Sequence, residues 1–409
     1  MMIFSLSARF AFGLAASAAL SLMATDTAFA QKAYDPGATD TEIKIGNIMP
    51  YSGPASAYSI IGKTFTAFFK MINEQGGING RKVNFISYDD GYSPPKTVEQ
   101  TRKLVENDEV LLLFGILGTP GNTAIHKYVN AKKIPHLFLA TGASKWADPK
   151  NYPWTMSFIP NYQNEAKIYA QYIMKNHPNA KIGILYQNDD FGKDYVIGLR
   201  DGLGPKASMI VSEAPFEVSA PTVDSQIVQL KSANADVLLT IATPKFAAQS
   251  IKKVAEMGWK PVHIVTNVAT SVKGVMQPAG FENAQGLMSA VYLKDPNDPQ
   301  WKNDPGIREW SNFMDKHFPE GDKTDNFTVY GYTVGKTMVE VLKKCGDNLT
   351  RENVLKKATN LDIEVGPVLP GIRLQSSPTD YNLIDQLQMQ RFNGNKWELF
   401  GPLISSERS

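Results

Sequence analysis

A single cysteine, Cys345, occurs in 409 residues. Its isolation excludes an intrachain disulfide framework and any metal site built from several thiolates. Within a helical pattern it reads as a small buried residue. The five histidines, His126, His136, His177, His263 and His317, are scattered without metal-ligand spacing. His136 and His263 fall in or beside apolar runs and read as core histidines with satisfied ring nitrogens. Excess charge of one sign is also lacking: 42 Lys and Arg against 40 Asp and Glu leave a formal net charge of +2. With no basic stripe and no polybasic run, the sequence points away from nucleic acid and from membrane surfaces. No Gly-x-Ser-x-Gly elbow occurs. Gly115, Gly118 and Gly121 recur every third residue, which is neither the dinucleotide fingerprint nor the P-loop, and no Lys-Ser or Lys-Thr follows. Asp89-Asp90-Gly91 reads as a strand-ending turn rather than a metal site. These absences give no catalytic, cofactor or metal signature.

The N-terminus carries what a secretory signal requires. Arg9 precedes an apolar stretch from Phe10 to Met23, and Ala28-Phe29-Ala30 offers a small-x-small cleavage site before Gln31. Residues 1–30 therefore read as a signal peptide, and the mature protein is expected to be exported and soluble. The apolar stretch is shorter than the ~20 residues that span a bilayer, and no later run reaches that length. No cysteine lies near the cleavage site, so a lipid anchor is not expected. An exported chain without disulfides needs a large core, which a hydrophobic content of 43% permits. Cores seldom grow past ~250–300 residues, so two lobes are expected.

Hydrophobic periodicity gives the class. Glu42–Met49 alternates and then turns apolar; Ile61, Phe65, Phe68 and Ile72 follow at helical spacing, and Asn79-Gly80 turns into Val83–Tyr88. A helix from Pro94-Pro95 leads to the apolar run Leu111–Phe114, a helix over Gly121–Ala131 to Ile134–Leu139, and Trp154–Pro160 reads as an edge strand. The alternation resumes with strands at Lys181–Tyr186, Met209–Val211, Val237–Ile241 and His263–Thr266, separated by helices. Helices follow at Gly306–His317, Thr328–Lys344 and Arg351–Ala358. Leu387–Phe392 and Lys396–Phe400 flank Asn393-Gly394-Asn395, a hairpin signal. The expected fold is α/β, two doubly wound parallel-sheet lobes.

On such sheets ligands sit at the carboxyl ends of strands. Leu111–Phe114 ends in Gly115-Ile116-Leu117-Gly118-Thr119-Pro120-Gly121, a loop opening a helix, where unpaired N–H groups and the helix dipole favour an anion. Ile134–Leu139 repeats the design and ends in Ala140-Thr141-Gly142. These two strand ends are expected to hold the carboxylate of a small ligand, although Thr119 and Thr141 also stand where helix caps form.

Taken in order, Ile45–Pro54, Tyr58, the Asn73–Gly80 segment, Tyr88-Asp89-Asp90, Phe114-Gly115, Ala140-Thr141 and Gln187–Gly192 resemble the periplasmic substrate-binding proteins of the branched-chain amino acid type that serve ABC importers, the leucine/isoleucine/valine-binding family. The resemblance runs across nearly the whole mature chain. It implies a type I fold with a three-strand hinge, lobe 1 from 42–158 and 291–374, and lobe 2 from 159–290 and 375–409. It implies an extracytoplasmic, monomeric binding protein that closes on an amino acid or related small carboxylic acid and delivers it to membrane permease subunits. A sensor of the same fold acting in trans on a membrane receptor is the alternative. By the same resemblance Thr119 and Ala140-Thr141-Gly142 hold the ligand's head group and Tyr58 covers it. Phe191 and Thr243 face it from the second lobe, and Phe327 is a further pocket candidate. The sequence departs from the family where an acid should pair the ammonium: Asn267-Val268-Ala269-Thr270-Ser271 contains no carboxylate. The family's usual disulfide near Asp90 and Gly118 is also absent.

Overall fold

The computed structural model describes residues 32–406, so the signal-peptide expectation lies outside the described residues. In chain order the regular elements begin with β1 (Ala33–Tyr34), β2 (Glu42–Met49), α1 (Ser59–Glu74), β3 (Lys82–Asp89), α2 (Pro94–Arg102), β4 (Leu112–Phe114), α3 (Thr119–Ala131), β5 (His136–Leu139) and β6 (Thr155–Ser157). Next come α4 (Tyr162–Asn176), β7 (Ile182–Gln187), α5 (Asp190–Leu203), β8 (Ile210–Phe216), α6 (Asp224–Ser232), β9 (Val237–Ile241), α7 (Pro244–Glu256), β10 (Val262–Val265), α8 (Gln277–Ala279) and β11 (Met288–Val291). The remainder is α9 (Pro305–His317), α10 (Asn326–Cys345), β12 (Asn348–Leu349), α11 (Arg351–Ala358), β13 (Asp362–Ile363), β14 (Leu374–Gln375), β15 (Gln386–Asn393) and β16 (Lys396–Ser405).

Two large sheets result. The first has five strands in the order β3-β2-β4-β5-β6, all parallel. Ile48 and Leu113 point to one face, against Leu104, Ile125 and Val129 of the following helical segments. Ile45, Met49, Leu112 and Phe114 point to the other, against Phe65 and Phe68 of α1. Alternation that is apolar on both faces is what helices on both sides of a parallel sheet demand. The second sheet has seven strands in the order β16-β15-β11-β10-β9-β7-β8, parallel except for the β11-β15-β16 edge. The chain passes from the first sheet to the second after β6, returns to pack α10 on α1, and re-enters the second sheet at β15. Three segments therefore connect the lobes, as the type I reading expects.

The hairpin between β15 and β16 turns at Asn393↔Lys396 with Gly394 at φ 65°. Two expectations needed correction, the length of β8 and the satisfaction of His136. β8 is longer than Met209–Val211 and runs to Phe216, and the strand β11 had no sequence forecast. His263 is satisfied, its Nε2 lying 2.9 Å from Thr240 Oγ1. His136, expected to be satisfied, has neither ring nitrogen partnered. Complete burial pushes its pKa down to about 3, so the ring stays neutral.

Candidate functional site

A cavity of about 70 Å³ lies between the two sheets at the carboxyl ends of their strands, a size that admits a small molecule only. Tyr58, Thr119, Ala140 and Phe327 wall it on the side of the first sheet, and Phe191, Thr243 and Asn267 on the side of the second. Thr141 and Gly142 stand behind the wall. Thr141 Oγ1 pairs with Thr119 Oγ1 at 2.5 Å and takes the Trp146 Nε1–H at 3.3 Å, so it fixes the rotamer of the threonine in front. Gly142 accepts the Tyr162 N–H at 2.8 Å, and a Cβ there would lie 2.0 Å from Pro160 O. Neither threonine caps a helix through its side chain; the α3 N-cap is Gly118, at φ 100°, a conformation that favours glycine.

Four helix N-termini point their positive ends toward the space, those of α3, α5, α7 and α10. Two are already neutralised. Asp189 caps α5 by accepting the Phe191 and Gly192 N–H groups, and Asp325 caps α10 by accepting the Phe327 N–H. The α3 and α7 termini, preceded by Gly118 and Thr243, have no side-chain cap. Their uncompensated dipoles, one from each sheet, favour an anionic group between Thr119 and Thr243.

The wall also bonds to itself across the gap. Tyr58, with its ring 5.3 Å from that of Phe327, donates its hydroxyl to Val268 O at 2.8 Å. Burial holds that phenol well above its ordinary pKa, so it remains a donor. Ser271 Oγ donates to Asp325 Oδ1 at 2.9 Å, and Asn326 Nδ2 to Thr270 Oγ1 at 3.2 Å.

Asn267 is anchored rather than free. Its Nδ2 donates to Ala290 O at 2.9 Å, and its backbone N–H donates to Glu165 Oε1 at 2.8 Å. Glu165, which sequence reasoning missed, is a buried carboxyl in the first turn of α4 that also accepts the Tyr169 hydroxyl at 2.6 Å. Desolvation pushes its pKa up to about 7 against these hydrogen bonds. Glu165 stands behind Asn267 and does not line the cavity. The carboxylate that does is Asp295, and both its oxygens are taken, by Trp397 N at 2.7 Å and by Asn297 N and Nδ2 at 3.0 and 2.9 Å.

Other wall residues escaped the sequence reading. Tyr92 follows the Asp89-Asp90-Gly91 turn and was findable from the strand-end rule. Tyr330 stands one helical turn after Phe327, a spacing that pointed to it. Tyr162 and Gln390 had no local signal. The acidic turn itself behaves as turn chemistry: Asp89 accepts from Ser52 and Gly91, and Asp90 from Tyr92 N and Thr97. Among the described residues no His, Cys, Asp and Glu cluster has metal-holding geometry, and no helix is long and apolar enough to cross a membrane.

Comparison with known proteins gives consistent matches. A family model described as periplasmic binding protein matches residues 42–396. The Leu/Ile/Val-binding protein homolog 7 of Brucella abortus (strain 2308) is 21% identical over 374 residues, covering 88% of this chain and 91% of the relative. A branched chain amino acid ABC transporter structure from Thermus thermophilus with bound valine superposes with a TM-score of 0.81 at 16% identity, over 89% of this chain and 97% of that one. A solute binding protein of an ABC transporter from Rhodopseudomonas palustris BisB5, in complex with 3,4-dihydroxy benzoic acid, superposes with a TM-score of 0.75 at 18% identity, over 90% and 98%.

Proposed function

Because the chain belongs to the periplasmic binding protein family, we propose that it is the extracytoplasmic solute-binding component of an ABC importer, holding an amino acid or related small carboxylic acid between its lobes. In this reading it binds and releases without catalysis, works as a monomer in the periplasm, and hands its ligand to membrane permease subunits. Lobe 1 then comprises residues 42–158 and 291–374, and lobe 2 residues 159–290 and 375–409.

The observation that carries the reading is the pair of uncapped helix ends meeting in one interlobe cavity, with Thr119 and Thr243 beside them. Each end carries a partial positive charge with no side-chain cap, and a carboxylate between them answers both. The Tyr58–Val268 bond across the gap supports hinge closure over the bound molecule. Its neighbours were solved with an α-amino acid in one case and an acid without an amino group in the other. The wall here favours the second kind. An ammonium needs a carboxylate as its charge partner, whereas Asn267 is an amide and Asp295 already accepts three hydrogen bonds from Trp397 and Asn297.

The reading is tested by thermal unfolding of the mature protein against a panel of amino acids and aliphatic and aromatic carboxylic acids. A rise in melting temperature with at least one carboxylate is expected, since any ligand that binds only the folded state stabilises it. No shift with any member in a folded sample overturns the reading.

A further inference from the structure

Resting on the carboxylate reading above, we propose that the same cavity holds a second recognition subsite, formed by the Tyr330 hydroxyl and the Gln390 amide, for an uncharged oxygen substituent of the same ligand. Both residues wall the cavity, Tyr330 from α10 and Gln390 from β15. Both are more than nine-tenths buried, at 6% and 2% exposure. The Tyr330 hydroxyl and Gln390 Nε2 have no hydrogen-bond partner. Buried polar atoms are paired in the great majority of cases, and an orphan costs its desolvation without return. Asn326 Oδ1, on the same wall, is a third unpartnered atom and an acceptor, which a ligand hydroxyl can satisfy; the two donors, brought to one cavity from segments some sixty residues apart in sequence, are accounted for by an acceptor that both can reach.

Tyr330 and Gln390 reach the cavity from different elements than Thr119 and Thr243. Tyr330 lies one turn of α10 beyond Phe327, about 5 Å further along the helix. Its ring packs on Phe158, 5.9 Å between centroids, where the chain leaves the first sheet. Gln390 faces Ser289 in the β11–β15 ladder, on the far lobe. Ile61, Ile159 and Val291 give the same wall apolar surface. The ligand therefore combines a carboxylate and a further oxygen with an apolar body.

The nearby charges decide what that oxygen is. Lys294 is already paired, donating to Asp304 Oδ2 at 2.8 Å and Gly366 O at 2.5 Å, and Asp295 is held as described. A second carboxylate would find no unpaired cation and would lie close to Asp295, so its desolvation would go uncompensated. Phenol and amide N–H both donate, so a hydroxyl or carbonyl oxygen fits. The ligand class is a hydroxy- or oxo-carboxylic acid.

The test is calorimetric titration of the mature protein with two matched pairs, benzoate with 4-hydroxybenzoate and pentanoate with 4-oxopentanoate. The oxygenated member of at least one pair is expected to bind about tenfold more tightly, because a site with buried donors discriminates against an analogue that leaves them unpaired. In Tyr330→Phe and, independently, Gln390→Leu that advantage is expected to shrink to less than about threefold. The melting temperature of each unliganded variant is expected to hold or rise, since an orphaned polar group is removed. A structural role for either group would lower it. Equal affinity within both pairs, or an advantage that survives both substitutions, overturns the subsite and leaves the carboxylate site standing. Failure of all four acids to bind overturns the subsite, while the carboxylate reading stands or falls on the wider panel.

Discussion

At the scale of the residue, Asn267 decides the charge of the ligand and Glu165 the response to pH. Asn267→Glu would place a carboxylate at the cavity wall in addition to Asp295, which already accepts three hydrogen bonds. It is expected to weaken the best acid without an amino group by about tenfold, an unscreened like-charge effect near 1.4 kcal/mol in a half-buried site. Calorimetry showing unchanged or tighter binding would reject the assignment. For Glu165 the pKa is raised from 4.5 to about 7 by burial, so the folded protein holds a proton that the unfolded chain has lost. Stability from this group is therefore greatest below pH 4.5 and declines as pH rises through about 7, by at most about 3 kcal/mol. Urea unfolding of Glu165→Gln is expected to lack that decline between pH 5 and 7.5, and parallel curves for the two proteins would contradict it. His126 and His136 act oppositely: held neutral with pKa near 4 and 3, they withdraw stability as pH falls below 6.5, and the difference between the two proteins cancels them. The strand-end rule made Thr119, Ala140 and Asn267 legible because it depends on local chemistry. Glu165 was illegible because a helical acid looks like any solvated one until Asn267 and Tyr169 are folded around it.

At the scale of the element, α10 binds the first lobe together through close approach to α1. A Cβ on Gly335 would meet the Phe68 ring at 2.6 Å, and one on Gly331 would meet Thr64 Cβ at 2.9 Å. Phe68 has little room to move, since Phe69, Phe313 and Tyr332 surround it with centroids 5.7, 6.0 and 5.4 Å away. In Gly335→Ala the helix gains about 1 kcal/mol of propensity and overpacking costs about 1–3 kcal/mol. A net loss of about 1 kcal/mol is expected in urea unfolding, and stability equal to the parent would mean that Phe68 yields. Elements with strong local signals were legible: the β15–β16 hairpin from Asn393-Gly394, and α1 and α10 from their helical periods. β11 was not, because Met288-Ser289-Ala290-Val291 carries little strand preference of its own and is made a strand by β10 and β15 on either side. β8 was read only over its apolar run, which Ser212 and Glu213 interrupt; it continues to Phe216 through Pro215 because β8 is a sheet edge, where proline is tolerated.

At the scale of the molecule, affinity depends on how well the lobes hold together without ligand, because a binding-competent state that is only partly populated lowers the apparent affinity by that fraction. Beyond Tyr58 the two sides are joined at Asp194 of α5. Its carboxylate accepts the Ser144 N–H at 2.6 Å and the Ser144 hydroxyl at 2.8 Å. Lys145 pairs with Asp190 at 2.5 Å beside it, but that pair is substantially exposed and adds little. The Asp194 contacts are largely buried and charge-assisted, so they carry more of the latch. Gln163 also donates to Asp194 at 2.6 Å, and this bond stays within the second lobe, holding the carboxylate in position whether or not Ser144 is engaged. Ser144→Ala therefore removes two bonds across the gap, the hydroxyl's own to Asp194 and the one it accepts from Gln163 Nε2 at 3.1 Å, without leaving a buried charge unpaired, whereas Asp194→Ala would disturb α4 and α5 as well. Ser144→Ala is expected to shift the unliganded protein toward open forms, seen as a larger radius of gyration in X-ray scattering, and to weaken carboxylate binding by about three- to tenfold, the worth of one charge-assisted hydrogen bond. The liganded radius should match that of the parent, because the ligand's own contacts restore closure. Affinity lost with no change in the unliganded radius would place Ser144 in the ligand's own site and remove it from the latch.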